Sequence, residues 1–294
     1  MDKIDEKTIL VRGSPSTLIY LGEEVYLIDP GHGSKRAKTL RKTLNKLGAD
    51  SAVVILTHYH SDHVNLLAEN KLPVTRIVSS NIDRPGIEYP IYRVGMTFGL
   101  PVGEKIDVLM YEPKPVRVNE ELEYRDTYYG DLKIHTLPGH TPGHIGVSTP
   151  EGVFYAGDLV FGDKVLERYP VPYHLDPCVS YDSIRKLESL YESGVIKVLV
   201  PGHGPVVKGD AIREMLDANL DSIKGFRERV LDALTSKEYT LDDLVGFFIE
   251  GRELSPGLYM LASNSLKGML TCLLKEKIVE AFVEGNKLYW RAVD

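Results

Sequence analysis

The 294-residue chain contains no glutamine, only two cysteines, six methionines and one tryptophan. Cys178 and Cys272 lie far apart and outside any CxxC spacing, which excludes a disulfide framework and a cysteine-rich zinc site. Both are expected as small core residues. The missing Gln and sparse Cys and Met form a composition that avoids thermolabile side chains. Long apolar runs are lacking too: the longest stretch free of Asp, Glu, Lys and Arg, residues 134–150, holds three histidines and several Gly and Pro, and it cannot span a bilayer. The N-terminus lacks the basic-then-apolar pattern of a signal peptide, so a cytoplasmic protein without membrane partners is expected. There is no excess of positive charge: the net charge is −7, which argues against a surface wholly devoted to nucleic acid. With 43% hydrophobic and 26% charged residues, disordered and collagen-like classes are excluded.

The length suffices for about two domains. Short β-type runs at 8–11, 17–20 and 25–28, separated by turn residues, read as a meander. Ser34 can cap a helix over 35–47, with Ala37, Leu40, Leu44 and Leu47 at helical spacing on one face. Lys35, Arg36, Lys38, Arg41, Lys42 and Lys46 make the rest of that helix basic. Further strands are expected near 52–56, 75–79, 121–126, 132–137, 145–148, 152–156 and 196–200, with a helix near 180–192. This order predicts an α+β layered domain with a strand-rich sandwich core over residues 1–208. Residues 209–294 change character: helical patterns at 209–235, 240–250 and 260–275 precede two β-type runs flanking the turn Glu284-Gly285-Asn286. Three helices and a hairpin are the layout of a winged-helix-like domain.

The strongest chemical signal is His58-Tyr59-His60-Ser61-Asp62-His63, where a buried strand ends and a helix begins. Alternation along extended chain points His58 and His60 the same way, while Asp62 and His63 diverge into the next turn. Imidazole and carboxylate suit zinc, iron or manganese. His140, Asp158 and His203 each follow an apolar strand and sit among glycines, where loops can crowd a metal. Five of the nine histidines fall in these positions.

On these motifs the chain resembles the metallo-β-lactamase superfamily of hydrolases: residues 58–63 match its HxHxDH signature, and His140, Asp158 and His203 follow in the family's order. The resemblance spans about residues 8–208. It implies a four-layer αβ/βα sandwich and two divalent ions, zinc foremost, with iron or manganese compatible. One ion would take His58, His60 and His140, the other Asp62, His63 and His203, with Asp158 bridging. Asp29, in a turn resembling the family's supporting loop, would brace the ligands from behind. The implied reaction is attack on an ester-type bond by a hydroxide held between the ions, with Asp62 as the catalytic residue that orients it or takes its proton. Two dications, two ligand aspartates and a hydroxide leave such a centre cationic, favouring anionic groups and developing oxyanions. Asp158 stands where true dinuclear β-lactamases carry Cys, which disfavours antibiotic hydrolysis. The C-terminal segment is more like family members with an appended winged helix than like the glutathione-binding helical domain of glyoxalase II.

The favoured substrate is a small-molecule acyl thioester or lactone. One alternative is an endoribonuclease using the basic helix and the C-terminal domain, yet residues 225–294 hold 9 Lys/Arg against 11 Asp/Glu, a poor balance for gripping RNA. Dimerisation or a lid is a better use of that domain, and a homodimer is compatible with it. Another alternative is a mononuclear iron persulfide dioxygenase, which would use fewer ligands. A DNA-binding regulator with a degenerate enzyme domain ranks last, because all seven ligands are intact. Around the site, His144 reads as a hydrogen-bonding support, and His32, Tyr173 and His174 as solvated or packing residues. Pocket shape is left to loops such as 83–117 and 163–178.

Overall fold

The computed structural model describes residues 2–69, 71–98, 114–169, 171, 173–253 and 255–293, so part of the 83–117 loop lies outside the described residues. Strands β1 (Asp2–Lys3), β2 (Thr8–Val11), β3 (Thr17–Leu21), β4 (Val25–Ile28), β5 (Ala52–Ile55), β6 (Val74–Ser80) and β7 (Glu120–Leu122) form one sheet in sequence order. Its first four strands pair antiparallel, and the pairs from β4 to β7 are parallel. The second sheet runs β13 (Val207–Lys208), β12 (Val198–Pro201), β11 (Val153–Gly157), β10 (Ile145–Ser148), β9 (Leu132–Thr136), β8 (Thr127–Tyr129).

Period-two alternation explains why these sheets stack. Leu18, Tyr20, Val53 and Ile55 point inward and meet Ile134, Val147, Tyr155 and Val200 from the other sheet. Their neighbours Ile19, Leu27 and Val54 point outward, onto Ala37, Leu40 and Leu44 of helix α1 (Ser34–Lys46). On the far side Phe154, Ala156 and Leu199 pack on Ile184 and Leu187 of helix α6 (Pro177–Glu192). The layers are therefore helix, sheet, sheet, helix, as the α+β sandwich expectation requires. Both faces of the central strands are covered, so they read as unbroken apolar runs.

Between β5 and β12 lie short helices α2 (Ser61–Val64), α3 (Arg84–Glu88), α4 (Pro90–Phe98) and α5 (Asp163–Arg168). The C-terminal region holds helices α7 (Asp210–Ser236), α8 (Leu241–Ile249) and α9 (Pro256–Lys275), then strands β14 (Val279–Glu284) and β15 (Lys287–Ala292). Gly285 and Asn286 both take positive φ at the hairpin turn (53° and 64°), the conformation a tight two-residue loop needs. Leu216, Ile223 and Val230 of α7 share one buried cluster with α6, α8 and α9.

Two expectations are corrected. The strand expected over 121–126 ends at Leu122 with β7; residues 123–126 carry the chain to β8 in the other sheet, and the apolar-polar alternation runs through the crossing without marking it. The cysteines are not independent core residues: Cys178 and Cys272 are joined in a disulfide with Cα atoms 6.4 Å apart, fastening the start of α6 to α9. Their 94-residue separation hides a proximity that only the packing of the two helices creates. Among the described residues, no helix is long and apolar enough to cross a membrane.

Candidate metal centre

The site lies at the ends of the parallel strands, where chain leaving a sheet is free of ladder hydrogen bonds. Asp29, directly after β4, is fully buried with φ at +50°. Its Oδ1 accepts from the Thr57 amide at 2.9 Å, and its Oδ2 accepts from the Thr57 hydroxyl at 2.5 Å. This clamps the end of β4 to the end of β5 just where the histidine motif begins. His60 is the residue before α2, so Asp62 and His63 occupy the first turn of a helix while His58 stays outside it.

The second sheet delivers the rest: His140 follows β9, Asp158 follows β11 and His203 follows β12. All seven predicted residues converge. His58, His60, His140 and Asp158 form one group, and Asp62, His63, Asp158 and His203 another, the ligand atoms of each lying within 4.8 Å of one another. Asp158 belongs to both. Its Oδ2 is 3.7 Å from His140 Nε2 and 3.3 Å from His203 Nε2, while its Oδ1 is 3.3 Å from His63 Nε2. Gly202 makes this approach possible, because a Cβ there would sit 2.3 Å from Asp158 Oδ1.

The outward nitrogens of four imidazoles are engaged, which fixes the nitrogen left facing the centre. His63 Nδ1 donates to Asp29 Oδ2 at 2.7 Å, and His140 Nδ1 donates to the Tyr173 carbonyl at 2.8 Å. His58 Nδ1 lies 3.0 Å from the Thr57 hydroxyl, which already gives its proton to Asp29, so His58 is the donor there. His203 Nδ1 pairs with the Ser14 hydroxyl at 2.7 Å. Inside, His58 Nε2, His63 Nε2 and Asp158 Oδ1 are buried polar atoms without hydrogen-bond partners among the described residues. His140 Nε2 and His60 Nδ1 face each other at 2.9 Å. Converging, unsatisfied lone pairs of N and O type are what a divalent cation fits.

Burial, reinforced by neighbouring imidazoles, pushes His58 and His60 well below the usual histidine range. Burial also opposes charge on His63 and His203, but carboxylates outweigh it. Asp158, Asp29 and Asp62 carry His63 well above its ordinary value, and Asp158 with Asp62 raises His203 to about 10. Asp62 resists its own burial and is held low by His63 and His203. The carboxylates thus demand positive charge on this side of the centre, which either protons or a cation can supply.

Some supporting residues escaped the sequence. Asp83 is buried and joins the two halves: its Oδ2 accepts from the Thr141 hydroxyl at 2.5 Å and the Tyr59 amide at 3.3 Å, and its Oδ1 from the Gly143 amide at 2.8 Å. Desolvation pushes its carboxyl up to about 7. No spacing rule could find it, because its partners lie in other loops. Tyr173 and His174, expected as packing or surface residues, flank the site, with rings 5.5 and 5.8 Å from that of His140. His144 is a support as expected: its Nε2 accepts from the Asp158 amide at 3.2 Å. His32 lines a cleft of about 290 Å³ with Ser14, Lys35 and Arg36. Arg36 of the basic helix is turned inward onto the carbonyls of Val11, Arg12 and Pro15, while the other five cations of that helix are exposed.

Comparison with known proteins bears on the fold and the family. The chain is 23% identical over 314 aligned positions to "Probable metallo-hydrolase YqjP" of Bacillus subtilis (strain 168), covering 94% of this chain and 93% of that protein. It is 33% identical over 138 positions to "Hydroxyacylglutathione hydrolase GloC" of Haemophilus influenzae, covering 46% of this chain and 60% of that one. The crystal structure of the metallo-beta-lactamase family protein TTHA1429 from Thermus thermophilus superposes with a TM-score of 0.69 at 20% identity, covering 98% of this chain and 100% of that one. The model of the metallo-beta-lactamase superfamily matches residues 9–203, from β2 to the last histidine of the centre, and the chain belongs to that superfamily.

Proposed function

We propose that this metal-dependent hydrolase of the superfamily cleaves an acyl thioester or lactone of a small molecule at a dinuclear centre. His58, His60 and His140 would hold one ion and Asp62, His63 and His203 the other, with Asp158 available to both. The observation that carries the reading is the pair of four-residue groups meeting at one carboxylate. Divalent ions bound there supply Lewis acidity and a water that ionises near neutral pH.

The chain's own residues do the rest. Asp29, Thr57, Ser14 and the Tyr173 carbonyl hold four imidazoles with the correct nitrogen inward. Asp62, ionised and 3.1 Å from His203 Nε2, is the residue assigned to orient the attacking water and take its proton. The thioester class gains support from the Haemophilus influenzae relative, whose name gives it as a hydroxyacylglutathione hydrolase. We assign catalysis to residues 1–208 and treat 209–294 as an accessory domain.

The test is hydrolysis of a thioester panel and a lactone panel by protein loaded with Zn²⁺ or Mn²⁺, beside Asp158→Ala and a labelled single-stranded RNA. Turnover of a thioester or lactone by the wild type, lost in Asp158→Ala, supports the reading. RNA cleavage without acyl hydrolysis overturns it in favour of a nuclease. A single bound iron with oxygen consumption overturns it in favour of the dioxygenase.

A further inference from the structure

Arg93 is a buried cation that the mechanism above does not use. It lies on α4 and is 7% exposed. Its Nη1 and Nη2 are buried without a hydrogen-bond partner among the described residues. An unpaired guanidinium away from water is costly, and folds retain one where something else satisfies it.

Its surroundings belong to the metal centre. Tyr59, from inside the histidine motif, has its ring 5.1 Å from that of His60. On its other side the ring presses on α3 at Gly86, where a Cβ would come within 2.8 Å of Tyr59 Cδ1, and α4 packs directly on α3. Tyr173 stands 5.5 Å from both His60 and His140, ring to ring. Arg93 and Tyr59 act on each other electrostatically, and Asp62 acts on Arg93 as well. Burial nevertheless dominates and drags the guanidinium down to about 10, so it stays charged at neutral pH. A cation is therefore linked to the centre through Tyr59 and Asp62, with both outer nitrogens lacking a hydrogen-bond partner among the described residues.

We propose that Arg93 is the specificity residue that anchors an anionic oxygen group of the substrate, a carboxylate or a phosphate, while the scissile acyl bond lies at the metal centre. The guanidinium fork matches either group through two parallel N–H donors. The ligand then provides the hydrogen-bond acceptors that Nη1 and Nη2 lack among the described residues. The inference rests on the acyl hydrolase reading for the scissile bond, and on Arg93 alone for the anion.

Three thioacetates of one aryl thiol separate the cases: unsubstituted, para-carboxylate and para-phosphate. Wild-type protein is expected to favour one charged ester over the neutral one by about tenfold or more in kcat/KM, chiefly through KM. Which charged ester gains identifies the source of the anion. In Arg93→Met the ratio should collapse towards one, and Arg93→Lys, with the charge but not the fork, should recover part of it. Arg93→Met should also unfold at the same or a higher temperature, because it removes an unpaired buried charge. A preference that survives in Arg93→Met overturns the proposal, and so does a fall in its melting temperature that Arg93→Lys reverses without any change in the ratio. If the wild type hydrolyses none of the three, the acyl reading has failed but the anion site has not. Calorimetric titration of benzoate and phenyl phosphate into metal-loaded wild type and Arg93→Met then decides: weaker binding to the variant upholds the anchor, equal binding sinks it.

Discussion

Asp29 Oδ2 and His63 Nδ1 are 2.7 Å apart, both completely buried, and each fixes the orientation of the other. The aspartate draws its other partners from Thr57, so one carboxylate braces both the helix-borne and the strand-borne halves of the histidine motif. Asp29→Ala should leave the sandwich folded and lower metal affinity by roughly 10- to 100-fold, the usual effect of removing a ligand's support. Competition with a chromophoric chelator measures it; unchanged affinity would mean that His63 is oriented by packing alone.

Gly202 and Gly225 should respond in opposite directions to the same added methyl group. At Gly202 the methyl meets Asp158 Oδ1 and His63 Cε1, so Gly202→Ala should displace the shared carboxylate and abolish activity. At Gly225, inside α7, nothing lies within 4 Å, and Gly225→Ala should stabilise the protein by about 0.5–1 kcal/mol through helix propensity. Turnover and denaturant melts of the two variants check both halves.

The Cys178–Cys272 bond ties a helix of the sandwich to the C-terminal region across 94 residues. Cys272→Ser or thorough reduction should cost about 2–4 kcal/mol of unfolding free energy. The start of α6 is also joined to the His140 loop, since the Asp176 amide donates to the Gly139 carbonyl at 2.9 Å. Loss of the bond should therefore make activity fall at lower temperature than in the oxidised protein. Thermal inactivation with and without reductant is the measurement, and coincident curves would contradict it.

His135 predicts a pH effect that is separate from the metal centre. It is buried in β9 with Nε2 2.9 Å from the Ser148 hydroxyl, and burial, only partly offset by Asp126, pulls it down to about 4 from 6.5. The folded state keeps this imidazole neutral while the unfolded chain protonates it. Its contribution is thus complete above pH 6.5 and is lost as pH falls through about 4, with a slope of up to about 1.4 kcal/mol per pH unit. His135→Asn should flatten stability over that window in chemical melts, and an unchanged profile would assign the acid sensitivity elsewhere.

The convergence of the seven candidate residues was legible because each is chemically distinctive and follows an apolar strand, so local pattern and ligand type coincide. The layers were legible for a similar reason: near-continuous apolar runs such as 17–21 and 52–55 mark strands buried on both faces. Asp83 and Ser14 were not, since their meaning comes from partners far away in sequence, and an Asp or Ser in a loop looks like any solvated residue. The disulfide failed for the same reason. The crossing at 123–126 failed because the strand signal continues on both sides of a change of sheet.

His58, His60, Asp62 and His63 come from one sheet and His140, Asp158 and His203 from the other, so neither half of the sandwich carries the whole candidate ligand set. An ion bound at this seam is a tie between two layers that otherwise cohere mainly through side-chain packing. It binds the native arrangement and not the separated halves, so mass action adds about 1.4 kcal/mol of stability for each tenfold excess of free ion over its dissociation constant. Metal supply would then govern how long the molecule survives as well as how fast it turns over, and starvation for the ion would remove the protein along with its activity.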